Sequence, residues 1–517
     1  MGNGLLSFCR HTFAGTSFKN SGKALAIWLL TSSLFLLPTY SEPISDFQQH
    51  SETIGFRYGI SVTDLEGNVL LEHRANERFM PASTAKLFVT AAALEAETAL
   101  ASLDTGLKLV VEPSSVGSPT LVLIGRGDPT IGSGETCRER CLETLVAAVK
   151  DAGLTEVGDI VGDDQWFADE RVPLGWSWDD LKFWHGTSIS ALSVNDNTVA
   201  MRVSPAKEMG DVVSAGWWEA GSAYFKLQNE AVTGPTDGEW ALRLERLFGA
   251  RTARLYGEMP LGSRSTTLRL GVEDPAHFVA WSFKTALEAE GIDVSGEVRT
   301  QRRPLQYEDE AKPVDRTDRE SQRKCAATAP ARPKAKVVAS LDPAPLQEII
   351  TKINRDSHNL YAEVLLRQLG RAEGPGSSFC GLVQIEGLLE RMGLPRDAYE
   401  IADGSGLSNY NRTTPAALTA LLRYAAKADW GERFQASLPV GGGRAGTLRF
   451  RFRGTSLDGK IFAKTGTLNH VDALAGYMEA ESGEVLVFAI LANDRPLTAP
   501  SVRPEIDALL LRLAKQY

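Results

Sequence analysis

Alternating and helical patterns of apolar residues follow one another along the first third of the chain. Residues 58–72 form two alternating runs around a Glu-Gly-Asn turn, which predicts a β-hairpin. Residues 81–94 begin with a proline and continue with many Ala and Leu, which predicts a helix. Residues 107–125 alternate again, and residues 141–152 have the period of an amphipathic helix. The pattern predicts a mixed α and β fold.

The middle of the chain changes character twice. Residues 205–270 contain short apolar runs and many glycines without a helical period, which predicts a small β-rich region. Residues 274–290 form a clear helix pattern that is followed by a glycine. Residues 302–336 are charged, contain several prolines and show no period, so we interpret them as a linker or exposed loop.

The last third of the chain mixes helical and strand-like segments. Helical periods cover residues 346–369, 414–426 and 506–515. We expect these helices to pack on antiparallel strands, because the strand-like segments lie close together in sequence. The strand-like segments are residues 446–452, residues 459–463 and a hairpin at residues 475–492.

The N-terminus has the pattern of a secretory signal peptide. Three basic residues precede the apolar stretch 24–38, and the small residues Thr39 and Ser41 stand at the expected cleavage positions. The apolar stretch is shorter than the roughly 20 residues that a spanning helix needs, so cleavage is favoured over an uncleaved anchor. We predict a signal peptide over residues 1–41 and a protein that is periplasmic or secreted.

The composition and net charge of the chain limit the classes of binding partner that are expected. The chain has 517 residues, 43% hydrophobic and 23% charged, as expected for a globular protein of two or three domains. Its formal net charge of -10 argues against nucleic acid as a partner and allows peripheral membrane association or none. The sequence is compatible with a homodimer.

Four cysteines follow the predicted signal: Cys137, Cys141, Cys325 and Cys380. Export to an oxidising compartment favours disulfides, and four cysteines allow three pairings. A local bridge between Cys137 and Cys141 is geometrically feasible. A metal site is the weaker interpretation because no nearby histidine completes it, so we predict no metal.

Candidate chemistry begins with Ser83 and Lys86, which the helix pattern places on one face. A nucleophilic serine needs a base within hydrogen-bond reach. Lysine serves only if burial or a neighbouring cation lowers its pKa, and Lys464 of a Lys-Thr-Gly string is a candidate for that cation. A second Ser-x-x-Lys string at residues 321–324 lies in the predicted linker and is discarded. The sequence has neither a Gly-x-Ser-x-Gly elbow nor a His-Glu-x-x-His zinc motif.

Ser-x-x-Lys together with Lys-Thr-Gly resembles the penicillin-binding proteins and serine β-lactamases. That family uses a third element, Ser-x-Asn, on a turn between helices. Ser357 and Asn359 match it within a helical region, whereas Ser193 and Asn195 lie among strand-like sequence and are interpreted as structural.

This choice inserts about 270 residues between the first two motifs, which is the hallmark of one branch of the family. The chain is thereby identified as similar to the class C low-molecular-mass penicillin-binding proteins, the D-alanyl-D-alanine carboxypeptidase/endopeptidase family. Further segments resemble motifs of this branch; they are residues 123–130, 175–181, 191–195, 403–408, 446–448 and 463–468.

The resemblance implies an α+β fold: a transpeptidase-like domain with an antiparallel sheet, helices on both sides and an all-helical subdomain. This catalytic domain is expected at residues 42–100 and 335–517. The insertion is expected to form domain II at residues 101–205 and 266–320, and a β-rich domain III at residues 206–265.

The resemblance also implies roles in acyl transfer from D-Ala-D-Ala peptides of peptidoglycan. Ser83 is the expected nucleophile and Lys86 its base. Ser357 is expected to relay a proton and Asn359 to hold Lys86 or the substrate amide, with Lys464 beside them.

The same resemblance assigns residues to the substrate. Thr465, Gly466 and Thr467, with Lys464, are expected to hold the terminal carboxylate. Asp180 is expected to meet the amine of a diaminopimelate side chain, with a capping acid as the alternative. No cofactor is implied, and β-lactam antibiotics are expected to acylate Ser83. A β-lactamase and a non-catalytic penicillin sensor are the alternative functions.

Overall fold

A computed structural model describes residues 45–113, 117–135, 137–218, 224–309, 325, 336–372 and 374–517. The predicted signal peptide, most of the predicted linker and the discarded Ser-x-x-Lys string lie outside these residues. Among the helices that are described, none combines the length and the apolar composition that crossing a membrane requires.

The two ends of the chain build one antiparallel sheet of five strands. The predicted hairpins at residues 58–72 and 475–492 are both confirmed. The first strand of the N-terminal hairpin pairs with the last strand of the C-terminal one, and the described strands between His73 and Ile461 belong to other sheets. In spatial order the strands are Val69–His73, Arg57–Thr63, Val485–Asn493, Val471–Glu479 and Ile461–Leu468.

Helices cover both faces of this sheet. On one face Leu474, Phe488 and Ile490 pack against the C-terminal helix Arg503–Gln516. On the other face small residues such as Ala475 allow a larger group of helices to approach closely. The predicted α+β architecture is confirmed. The helices of the second group are Lys86–Glu95, Leu346–Arg355, Asn359–Ala372, Ser378–Arg391, Pro415–Lys427 and the short Glu97–Ala101 and Gly431–Ala436.

Two predicted elements are wrong in detail. The continuous helix over residues 346–369 is broken, because Ser357 has a φ of 61°, which an α-helix does not accommodate. Residues 446–452 form tight turns instead of a strand: Gly446 has a φ of 85°, and the Arg451 N–H donates to the Leu448 carbonyl at 2.9 Å. In both places local turn geometry overrides the apolar pattern.

A second five-stranded sheet lies within the predicted insertion. Two helices, Leu142–Asp151 and Pro275–Ala289, share its buried apolar cluster. Its edge strand Lys336–Leu341 pairs with Leu107–Glu112, so a segment assigned above to the catalytic domain completes this sheet. The strand order is Val298–Arg303, Ile160–Ala168, Thr120–Ile124, Leu107–Glu112 and Lys336–Leu341.

Short strands form the rest of the insertion, as predicted for residues 205–270. Met201, Val203, Leu255 and Met259 belong to a separate small cluster of buried residues. The division into domains II and III remains a prediction. The strands are Thr198–Ser204, Ser214–Trp218 and Thr266–Gly271 in one sheet, Lys226–Asn229, Arg243–Glu245 and Thr252–Tyr256 in another, and the pair Val232–Gly234 with Glu258–Pro260.

Two disulfides settle the cysteine pairings that the sequence left open. Cys137 pairs with Cys141, and Cys325 pairs with Cys380 on the helix Ser378–Arg391. The local bridge that spacing made feasible is present, so these sulfur atoms bind each other and are not free to bind a metal.

Candidate active site

Ser83 and Lys86 lie where a 3₁₀ turn runs directly into a helix. The turn spans Ala82–Ala85 and the helix spans Lys86–Glu95, as the apolar pattern predicted. The Lys86 Nζ atom donates to Ser83 Oγ at 2.8 Å. Ser83 is half-buried and Lys86 is fully buried, so the serine hydroxyl remains accessible while the amine does not.

Two distant segments supply the other partners of the Lys86 amine. It donates to Asn359 Oδ1 at 2.6 Å and to the main-chain carbonyl of Ser405. Asn359 is the first residue of the helix that follows the Ser357 turn. The structure therefore brings Ser83, Lys86 and Asn359 into direct contact.

Ser357 and Lys464 form a second serine–lysine pair. The Lys464 Nζ atom donates to Ser357 Oγ and to the carbonyl of Thr465, both at 2.9 Å. Lys464 is on the strand Ile461–Leu468 at the edge of the sheet and is fully buried. The left-handed conformation of Ser357 places this second hydroxyl between the two helices that flank it.

Glycines on two sides let the backbone approach the Ser83 turn closely. A Cβ on Gly466 would lie 2.7 Å from the Pro81 carbonyl oxygen and 3.2 Å from the Ala82 Cβ. Gly406 has a φ of 80°, and a Cβ there would overlap the Ala82 carbonyl. The glycine of the Lys-Thr-Gly string, Gly466, therefore lets the edge strand lie against the turn that carries the serine.

Burial controls the acidity of both lysines. Burial lowers the pKa of Lys86 to about 7, although the nearby carboxylates of Asp403 and Glu363 act to raise it. Burial, followed by the charge of Lys86, holds the pKa of Lys464 well below its ordinary value. The sequence allowed either burial or a neighbouring cation as the cause of a lowered Lys86 pKa; burial is the first cause, and it acts on both amines.

A buried glutamate missed by the sequence analysis stands behind the Ser405 carbonyl. Glu363 accepts the Ser405 N–H at 2.8 Å and pairs with Arg367 at 3.1 Å. Arg367 also pairs with Glu170 of the insertion at 3.1 Å. Burial and then the charge of Asp403 raise the pKa of Glu363 to about 7. Glu363 lies one helical turn after Asn359, among apolar residues of the same helix, and this position could have indicated from the sequence that it lies near the site.

Asp403 organises the loop that carries the Ser405 carbonyl. It accepts the N–H groups of Gly406 and Ser408, each at 2.8 Å, and the Ser405 hydroxyl at 2.9 Å. Trp176 of the insertion donates its indole N–H to the same carboxylate at 2.8 Å. Two of the motifs that carried the family resemblance, residues 175–181 and 403–408, are thus in direct contact.

Asp180 reaches the site through its neighbour His185. The Asp180 Oδ1 atom lies 3.3 Å from the His185 Nε2 atom. The His185 carbonyl accepts the Asn359 side-chain N–H at 2.8 Å. The insertion therefore fixes the amide of Asn359, whose oxygen holds Lys86.

The threonines of the edge strand differ in exposure. Thr465 is half-buried and donates to the Thr447 hydroxyl at 2.8 Å. Thr467 is exposed, and its hydroxyl accepts a hydrogen bond from Arg503 at 2.7 Å. Arg503 was missed because nothing in the sequence around it signals proximity to this strand.

The rejected Ser-x-Asn segment makes structural contacts of its own. The Ser193 hydroxyl donates to the Ser190 carbonyl at 3.2 Å, and the Asn195 amide oxygen accepts the Ser133 N–H at 2.9 Å. Ser357 and Asn359, by contrast, contact the two buried lysines.

The fold and the paired serines and lysines are those expected of the penicillin-binding class of proteins. The chain belongs to the D-Ala-D-Ala carboxypeptidase 3 (S13) family, whose model matches residues 41–314 and 324–517.

Curated relatives and solved structures agree with this assignment. The D-alanyl-D-alanine carboxypeptidase of Actinomadura sp. (strain R39) is 33% identical over 471 residues, which cover 88% of this chain and 81% of the relative. The carboxypeptidase DacB of Haemophilus influenzae is 25% identical over 496 residues, 91% of this chain and 92% of the relative. The crystal structure of penicillin binding protein 4 (dacB) from that organism superposes with a TM-score of 0.71 at 20% identity, covering 90% of this chain and 98% of that one.

We expect Gly466→Ala to destabilise the protein, because the added methyl group would collide with the Pro81 carbonyl. Overpacking of this kind costs about 1–3 kcal/mol of unfolding free energy, measurable by denaturant titration. Gly216→Ala is the matched control, since a Cβ at this strand position would meet nothing within 4 Å. Equal stability of the two variants would contradict the close approach of strand and turn.

Proposed function

We propose that this protein is a serine D-Ala-D-Ala carboxypeptidase that forms an acyl-enzyme at Ser83. The observation that carries the proposal is the 2.8 Å contact between Ser83 Oγ and a fully buried lysine amine whose pKa lies at about 7. Membership of a D-Ala-D-Ala carboxypeptidase family supports it. The substrate would be the stem peptides of peptidoglycan, and the protein would act on them in the periplasm or after secretion.

Acylation begins with proton transfer from Ser83 to neutral Lys86. The Oγ atom then attacks the carbonyl carbon of the penultimate D-Ala, and a tetrahedral oxyanion forms. The main-chain N–H groups of Ser83 and Thr467 are the proposed donors to this oxyanion. A pKa of about 7 suits Lys86 to this task, because a base near neutral pH is deprotonated and still basic enough to accept a proton.

Collapse of the intermediate needs a proton on the leaving amine of the terminal D-Ala. Ser357 would deliver it and regain a proton from Lys464, whose amine contacts it at 2.9 Å. The proton that Lys86 took from Ser83 passes on to Lys464, so both lysines end acylation in the state in which they began it. The C–N bond breaks, D-Ala departs, and Ser83 is left as an ester. Water then attacks the ester and gives a proton to neutral Lys86, which passes it to Ser83 Oγ as the ester bond breaks and the shortened peptide leaves.

Substrate binding would restore the charge of Lys464. Burial and Lys86 disfavour its protonated form in the free protein. A terminal carboxylate held by Thr465 and Thr467 would bring a negative charge to the same place and favour protonation. Arg503, which already contacts the exposed Thr467 hydroxyl, adds a second cation at this end of the site.

We further propose DD-endopeptidase activity and acylation by β-lactams. The endopeptidase proposal places the amine of a diaminopimelate side chain at Asp180, which is partly exposed and next to the His185 segment that holds Asn359. The β-lactam proposal is supported by a β-lactam complex of the H. influenzae penicillin binding protein 4, which shares this fold with a TM-score of 0.67. Both activities would serve cell-wall remodelling.

Ser83→Ala tests the nucleophile. We expect D-Ala release from a D-Ala-D-Ala peptide to fall by about 10⁴-fold or more, and the mass increase after incubation with penicillin to disappear. Ser482→Ala, in the exposed turn that joins two strands of the sheet, should behave as wild type. Persistence of D-Ala release in Ser83→Ala would overturn the assignment, and rapid nitrocefin turnover by the wild type would indicate a β-lactamase instead.

The pH dependence of acylation tests Lys86 as the base. Only the neutral amine accepts the Ser83 proton, so the acylation rate should rise with pH and reach half its maximum near pH 7, the pKa given by burial. The measurement is the rate of labelling by a fluorescent penicillin between pH 5 and 9, with a thermal unfolding scan at each pH as the control. A rate that falls across this range would exclude a neutral lysine base.

Asp180→Asn tests recognition of the diaminopimelate amine. We expect cleavage of cross-linked muropeptides to fall by about tenfold or more, since a charge-assisted hydrogen bond is lost, while the rate of penicillin labelling stays unchanged. Asp179→Asn changes the exposed neighbouring acid and is the matched control. Chromatography of monomeric and cross-linked muropeptides gives the readout, and release of D-Ala alone by the wild type would contradict the endopeptidase proposal.

A further inference from the structure

Three consecutive residues of the insertion adopt a left-handed backbone conformation. Asn195, Asp196 and Asn197 have φ values of 49°, 57° and 53°. Asn and Asp are the non-glycine residues that tolerate this conformation best, yet three in succession remain strained. Strain of this kind persists where the surroundings hold it in place, and it concentrates at functional sites.

Hydrogen bonds hold both ends of this turn. The Asn195 N–H donates to the Ile131 carbonyl at 3.0 Å, and its side chain accepts the Ser133 N–H at 2.9 Å. At the other end the Asn197 carbonyl accepts the Thr187 hydroxyl at 2.6 Å. The middle residue, Asp196, is therefore presented in a fixed direction.

Asp196 points at the centre of the catalytic Ser-x-Asn motif. Its Oδ2 atom lies 3.5 Å from the Nε2 atom of His358, the residue between Ser357 and Asn359. The His358 side chain is 7% exposed and also contacts the ring of Tyr361, with 4.5 Å between ring centroids.

The charges around Asp196 favour its ionised form. Burial acts to raise the pKa of Asp196. The hydrogen bond and charge of His358, followed by the charges of Lys352 and Arg269, act in the opposite direction and together lower this pKa. Tyr361 is a further titratable neighbour of Asp196; burial and the Asp196 carboxylate raise the pKa of Tyr361, so it stays neutral. Asp196 can therefore serve as a stable anionic anchor for His358.

The turn that Asp196 faces needs an anchor. Ser357 has a left-handed backbone conformation and lies in the short turn between two helices. This turn must place the Ser357 hydroxyl against Lys464 and the Asn359 side-chain amide against Lys86. A shift of about 1 Å in such groups can cost about a hundredfold in rate. Ser357 and Asn359 contact the two buried lysines, whereas His358 between them contacts Asp196 of the insertion.

We propose that Asp196 is a positioning residue for acylation, which holds the Ser357–Asn359 turn in its reactive geometry through its contact with His358. The inference rests on the proposed function and adds a role for the insertion in the chemistry. Asp196 touches neither the substrate nor the reacting atoms; it acts through His358.

Asp196→Asn tests the proposal with little change in shape, because Asn also tolerates the left-handed conformation and only the charge is lost. Labelling by a fluorescent penicillin gives the acylation rate constant and the dissociation constant of the complex that precedes acylation. We expect the rate constant to fall by between about tenfold and about a hundredfold and the dissociation constant to stay within about threefold of wild type. Asp237→Asn, an exposed acid elsewhere in the insertion, is the matched control.

A double-mutant cycle tests the route through His358. His358→Gln should cause a similar loss, and Asp196→Asn should add nothing to it, because the two residues act as one unit. A wild-type rate constant in Asp196→Asn, additive losses in the double variant, or a loss that the unfolded fraction at the assay temperature explains would each overturn the inference. Failure of the wild-type protein to be labelled, or labelling of Ser83→Ala, would count against the proposed function instead.

Discussion

The rest of the structure depends on keeping the Lys86 amine out of water while leaving the Ser83 hydroxyl within its reach. Burying an amine is costly unless it loses its proton or finds acceptors, and both occur here. Its pKa falls to about 7, and its acceptors come from three separate parts of the sequence: the adjacent turn, the Asn359 helix and the Ser405 loop. A single buried nitrogen thus determines where these segments must meet.

The same constraint extends into the inserted region. Glu363 holds the Ser405 N–H and pairs with Arg367, which pairs with Glu170. Trp176 binds the Asp403 carboxylate that shapes the loop. These contacts are buried and polar, so removing one partner would leave the other unsatisfied at high cost. The insertion is therefore part of the structure that holds the lysine, and its removal would not leave an intact catalytic unit.

Much of this arrangement could be predicted from local sequence signals. The two hairpins of the central sheet and the helix after Pro81 follow from periodicity and a proline, and the structure confirms them. The choice of Ser357 over Ser193 followed from its helical setting, and the structure places Ser357 beside Lys464. The hairpin and helix predictions succeed because each depends on residues that are close in sequence.

The errors and omissions concern one local turn conformation and several features that depend on distant contacts. The break at Ser357 requires a left-handed residue that an apolar period does not reveal. The pKa of Lys86 depends on burial by segments hundreds of residues away, so the sequence alone could not decide between burial and the Lys464 charge as its cause. Arg503 reaches Thr467 only because the last helix folds back onto the sheet.

The pairing of the first strand of the sheet with the last one affects when the sheet can form during synthesis and folding. Ile60 lies opposite Ile490, so the sheet cannot close until the chain has been made as far as the strand Val485–Asn493. Contacts between such distant residues form slowly, because a long loop must be ordered before they are gained. The strand that carries Lys464 joins the same sheet from its far edge. A chain that stops before Val485 would therefore carry both Ser83 and Lys464 but lack the strand that joins their two parts of the sheet.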